Sequence, residues 1–123
     1  MAAVFGAAVG YERRRSDKPA GLRTLSLVAV GSALFTIIST FGFETADQSR
    51  VAAQIVTGVG FLGAGTILRS GTSISGLTTA ATIWATAAIG MAVGSWLYIA
   101  SVGGTVLMLA ILYLFAPARN TDE

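Results

Sequence analysis

The sequence predicts an all-α protein: one domain over residues 1–123, built as a polytopic transmembrane helix bundle with four full spans and a truncated first helix. Three observations carry this prediction. Of the 123 residues 54% are apolar and 11% charged, with a mean hydropathy of +0.73, whereas soluble domains carry about 25% charged residues. Residues 70–118 form a run of 49 without Asp, Glu, Lys or Arg, and since about 20 apolar residues cross a hydrocarbon core of ~30 Å, that run holds two spans. The remaining charges gather in short connections between apolar stretches.

Residues 1–11 are apolar; as a helix they reach about 16 Å, roughly half of a crossing. Glu12, Arg13, Arg14 and Arg15 follow this stretch, whereas a signal peptide places its positive charge before the apolar core. It therefore reads as the cytoplasmic half of a first helix whose start is missing. Four full-length candidates follow at residues 25–43, 51–68, 76–94 and 96–115, each of 18 to 20 residues. Trp96, Tyr98 and Tyr113 lie near the ends of the last, where interfacial aromatics sit, and Pro117 follows where the helix should stop.

Lys and Arg near span ends stay on the cytoplasmic side. Arg13, Arg14, Arg15, Lys18 and Arg23 occupy the first connection, Arg50 the second, Arg69 the third, none the fourth, and Arg119 the tail. Alternate connections thus hold seven basic residues on one side against one on the other. The expected orientation has the first and third connections and the C-terminus cytoplasmic and the loop of Glu44 and Asp47 outside. The net charge of +2 is then a property of membrane flanks, and nucleic acid is not an expected partner.

Cysteine and histidine are both absent. This excludes disulfides, thiolate nucleophiles and metal sites of imidazole or thiolate type. No enzymatic activity and no cofactor are expected, and the sequence alone assigns no metal.

Gly58-Val-Gly60-Phe-Leu-Gly63 matches the dinucleotide fingerprint in letters, but that motif needs a preceding strand and an acid about 20 residues later. The next acid after Asp47 is Asp122. Gly58, Gly60, Gly63 and Gly65, with Ala64, instead suit a close helix-packing surface, and small residues of this kind make a homo-oligomer one possible assembly. Asp47, Arg50, Gln54 and Thr57 fall on one face of the third span: Asp47 and Arg50 as an i, i+3 pair or as part of a capped helix start, and Gln54 one turn deeper with an amide that needs a partner. Ser75, Thr79, Thr82 and Thr86 recur at steps of 4, 3 and 4, and Gly90 and Gly94 extend the stripe; either the hydroxyls bond to their own helix or they line a path. The segment 70–76 is a plain turn or, beside Arg69, an anion-receiving helix start. Glu12 opposes the negative end of the first helix and is expected to pair with a basic neighbour such as Arg23. The first-connection basic cluster is expected to face anionic lipid.

Read together, Gly10-Tyr-Glu12-Arg13, Ala20-Gly-Leu-Arg23-Thr24, the block from Asp47 through Arg50 and Gln54 to Gly65, and Gly76-Leu-Thr78-Thr79-Ala-Ala-Thr82-Ile-Trp84 resemble the MgtC/SapB family of bacterial inner-membrane proteins, in its short form. The resemblance implies about five transmembrane helices, an outside N-terminus and an inside C-terminus. It also implies a role in growth when magnesium is scarce and in survival inside phagocytes, exerted by regulating other membrane proteins, including ATP synthase, rather than by transport. Virulence-associated members carry Asn and Cys where Thr78 and Ala85 stand here, and a cytoplasmic C-terminal domain beyond the position of Pro117. The expected function is regulation or binding of membrane proteins under magnesium limitation or acid stress; the alternative is a small cation transporter or channel for Mg2+ or H+, with Glu44 and Asp47 as its mouth and Gln54, Thr79, Thr82 and Thr86 as its path.

Overall fold

A computed structural model describes residues 1–15, 18, 20–42, 49–71 and 73–115. Five helices and one hairpin follow in order: α1 (Ala2–Arg15), α2 (Leu22–Phe41), α3 (Arg50–Ala64), β1 (Leu68–Ser70), β2 (Ser73–Ser75), α4 (Leu77–Gly94) and α5 (Tyr98–Leu114). Asp47, Glu44 and Pro117 lie outside the described residues.

Two helices, α2 with 20 residues and α4 with 18, are long and apolar enough to cross a membrane. Of the others, α3 with 15 residues and α5 with 17 are shorter than expected, whereas α1 with 14 is longer than the expected stretch 1–11 and takes in Arg13, Arg14 and Arg15. The expected third span ran to residue 68, but α3 stops at Ala64, where the Gly65 N–H bonds back to Phe61 and Leu62 and the Thr66 hydroxyl donates to the Gly63 carbonyl at 2.7 Å. These bonds satisfy carbonyls that a helix end leaves open. The expected turn at 70–76 is instead mostly a hairpin, pairing Leu68 with Ser75, Arg69 with Ile74 and Ser70 with Ser73. Gly71 supplies a φ of 65° at its tip. Gly76, at φ 87°, begins α4 with its Cα against the Thr66 carbonyl, so a side chain is excluded there by both space and backbone conformation.

Where α4 meets α5 the chain turns without glycine. Trp96 adopts φ 65°, and the Leu97 N–H reaches the Ala92 carbonyl at 2.9 Å. A left-handed conformation costs an L-residue about 1–2 kcal/mol; the Trp96 ring packs edge-on to Tyr98 at 6.0 Å.

The central helix is α4, which packs against each of the other four. Its partner α2 lies parallel to it: a Cβ at Gly90 would strike the Ala29 carbonyl and lie 2.9 Å from Ser32 Cβ, and one at Gly94 would lie 2.6 Å from the Ala33 carbonyl. The contacts advance together along both helices. In α1 they run the other way, Gly6 against Leu25 and Ala29 and Gly10 against Gly21 and Leu22, which makes α1 and α2 an antiparallel hairpin. Close backbone approach through small residues holds helices together where hydrophobic burial supplies little drive.

The radial distribution of side chains is inverted relative to a soluble core. Ser32, Thr36, Ser39, Thr79, Thr82, Thr86, Ser101 and Thr105 are buried, whereas Leu27, Phe61, Trp84, Ile99, Leu107 and Leu114 are more than half exposed. Several of these hydroxyls return their proton to their own helix: Thr36 to Ser32, Thr82 to Thr78 and Thr105 to Ser101, each at 2.7 Å. Apolar burial is concentrated in one cluster that includes Val9, Leu25, Val28, Ile55, Val59 and Ile83.

Candidate functional site, a buried arginine between α1 and α4

On α1, Gly6, Val9, Gly10 and Arg13 are spaced by 3, 1 and 3 residues and are all buried, so one face of the helix turns inward. The two glycines bring that face against α2, and the next inward position is an arginine. Arg13 is 3% exposed, and its Nη2–H donates to Thr79 Oγ1 at 2.9 Å. Thr79 stands in the first turn of α4 and is fully buried. The bond joins residues 66 positions apart and fastens the end of α1 to the start of α4.

A guanidinium out of water needs neutralisation and hydrogen bonds. Glu12 Oε1 lies 3.9 Å from Arg13 Nη1, with Glu12 15% exposed. Arg13 also occupies the last turn of α1, where a cation is favoured by the helix dipole. The ion pair shown by Glu12 is thus with its neighbour Arg13, and not with Arg23 as the sequence suggested; Arg23 is exposed on the first turn of α2.

The remaining candidates separate into distinct places. Thr79, Thr82, Thr86, Gly90 and Gly94 form the inward face of α4. Thr78 and Thr82 line a groove of about 420 Å³ between α4 and α5, together with Ala85 and Met108. Gln54 and Gly58 line a second groove of about 340 Å³ between α2 and α3, with Gly31 and Phe35 opposite. Gln54 is exposed, as is Arg50 at the start of α3. Ser49 holds the N-cap position of α3 but makes no side-chain cap bond, and any pairing of Arg50 with Asp47 falls outside the described residues.

The glycines expected to form one packing surface divide as well. Gly63 packs on Ala80, with a Cβ 3.3 Å from its carbonyl, whereas Gly58 and Gly60 face open space and Gly65 meets only carbonyls of its own helix end. The tight backbone contacts between helices fall at Gly6, Gly10, Gly90 and Gly94. Among the described residues, no group of three His, Cys, Asp or Glu side chains is placed to hold a metal ion.

Thr86 is fully buried, and among the described residues its Oγ1 has no hydrogen-bond partner. An unmade buried hydrogen bond carries a desolvation cost of about 1–3 kcal/mol. Thr86→Val keeps the shape and removes that cost, so it is expected to leave the unfolding midpoint in detergent unchanged or raised. A clear loss of stability would show that this hydroxyl is bonded.

Comparison with known proteins places the chain in a family context. The sequence profile of the MgtC family matches residues 1–121. The chain is 50% identical to the protein named "Putative magnesium transporter YhiD" of Escherichia coli K12, over 94% of this chain and 57% of that one. It is 44% identical to the Protein MgtC of Brucella abortus, over 98% and 50%, and 43% identical to that of Salmonella typhimurium, over 97% and 51%. The chain therefore spans about half the length of these relatives. No solved structure gives a significant match.

Proposed function

The chain belongs to the MgtC family, and from that premise we propose that it is a non-enzymatic polytopic membrane protein acting through helix contacts, with itself or with other membrane proteins, in the response to magnesium limitation or acid stress. The inverted distribution of polar and apolar side chains supports a membrane location. The Arg13–Thr79 bond supports the proposed orientation, because it brings the first and third connections to the same end of the bundle, as the seven-to-one charge count requires. In this reading that end and the C-terminus face the cytoplasm of a bacterial inner membrane.

The observation that carries the regulatory reading is the guanidinium at the head of the threonine column. A cation moving along Thr79, Thr82 and Thr86 would have to pass a buried positive charge hydrogen-bonded to the first of them. Gln54, the other member of the expected path, lies in the α2–α3 groove and not beside that column. The two lateral grooves open between helices, where a neighbouring helix or acyl chain has access. The second reading, a cation transporter, is favoured by the name that the E. coli relative carries.

The test is growth under limiting magnesium in a bacterium lacking its own MgtC-type gene. The chain is expected to restore growth without raising magnesium uptake, and Ala81→Leu with Ala85→Leu, which fills the α4–α5 groove, is expected to abolish that support at unchanged membrane abundance. Restored growth that tracks magnesium uptake would favour transport instead.

A further inference from the structure

Arg14, Arg15 and Arg23 differ from Arg13 in being exposed. They share one corner of the fold: the Arg14 Cβ lies 3.8 Å from the Cβ position of Gly21, and Arg23 follows two residues later on the first turn of α2. Glu12, the one carboxylate among the described residues, is mostly buried and lies beside Arg13. Tyr11 is 58% exposed, three and four residues before Arg14 and Arg15, on the same side of α1. A tyrosine one turn below exposed arginines marks headgroup depth on a membrane helix. Exposed guanidiniums at that depth meet phosphate, which they bind in a bidentate fork.

We propose that this α1–α2 corner is a binding site for the phosphate headgroups of anionic phospholipids, and that magnesium competes with the three arginines for those phosphates. Magnesium binds phosphate oxygens while retaining water, so its depletion leaves more headgroup phosphate open to guanidinium. Occupancy of the corner then rises as magnesium falls. The link to magnesium limitation rests on the function proposed above; the binding does not.

The test is a titration of the purified full chain, in micelles of a neutral detergent, with short-chain phosphatidylglycerol and with phosphatidylcholine of the same chain length. Phosphatidylglycerol is expected to bind more tightly, with an affinity that falls with added salt and further with added magnesium at matched ionic strength. Each of Arg14→Gln, Arg15→Gln and Arg23→Gln is expected to weaken it about fivefold, and the triple Lys variant to retain more affinity than the triple Gln variant. Equal affinity for the two lipids, or full affinity in the triple Gln variant, would overturn the site. Full competition by inorganic phosphate at equal concentration would overturn the lipid as its ligand, and indifference to magnesium would overturn the competition. Should the triple variants fail to fold, the salt and magnesium titrations of the unaltered chain decide the matter alone.

Discussion

Arg13→Ala is expected to lower the stability of the bundle by about 3 kcal/mol, because it removes one partner of a buried charged pair and leaves Glu12 and the Thr79 hydroxyl behind. Glu12 keeps 15% exposure and its oxygen is 3.9 Å away, so the effect falls at the lower end of the range for breaking such pairs. Thr79→Val is expected to cost about 2 kcal/mol, the worth of a hydrogen bond to a charged donor. The two losses are not independent. In the double variant the coupling should be about 1–2 kcal/mol, as for residues that share one bond. Arg14→Ala, one residue along but exposed, should change stability by less than about 0.5 kcal/mol. Unfolding of purified protein in mixed micelles measures all four. Equal effects of Arg13→Ala and Arg14→Ala would mean that Arg13 is not fastened to α4.

Gly90→Leu is expected to be as damaging through a different cause. A Cβ there would strike the Ala29 carbonyl, a backbone atom that no rotamer change can move. The α2–α4 contact must open, and overpacking of this kind costs about 1–3 kcal/mol, occasionally more. Gly94 carries the same restriction one turn on, with the Ala33 carbonyl 2.6 Å from a Cβ, so Gly94→Leu should behave alike. Gly60→Leu is the control: nothing lies within 4 Å of its Cβ position, and the variant should hold stability within about 1 kcal/mol. Thermal unfolding that ranks Gly60→Leu with Gly90→Leu would place the tight packing elsewhere, or reveal a second chain against α3.

Much of this architecture is legible in the sequence, because composition and charge act over whole helices. The number of helices, the short first helix, and the inward stripe from Thr79 to Gly94 follow from apolar length and 3.6-residue periodicity. The buried arginine was concealed by its neighbours: in the run Arg13-Arg14-Arg15 the topology rule treats all three alike. The signal that separates them is the face shared with Gly6 and Gly10, since positions 6, 10 and 13 lie on one side of a helix and 14 and 15 do not. The glycine block at 58–65 misleads for a related reason: glycine permits close approach without specifying a partner, and only Gly63 meets a neighbouring helix. The hairpin was hidden because a Ser/Gly/Thr segment scores as a turn, whereas its strands are fixed by the Gly71 tip and the Gly76 contact with Thr66. Thr79 stands apart from the other threonines for a reason outside its own helix, an arginine 66 residues away.

Arg13 stands at the head of the threonine column, and the function proposed for the bundle is action by contact rather than conduction. Magnesium entry into liposomes carrying the purified full chain, followed with a trapped magnesium indicator, tests it most directly. Entry no faster than in protein-free liposomes is expected for the unaltered chain, with the chain shown to be folded by its unfolding midpoint. Protein-dependent magnesium entry that is lost on Thr82→Leu would contradict it.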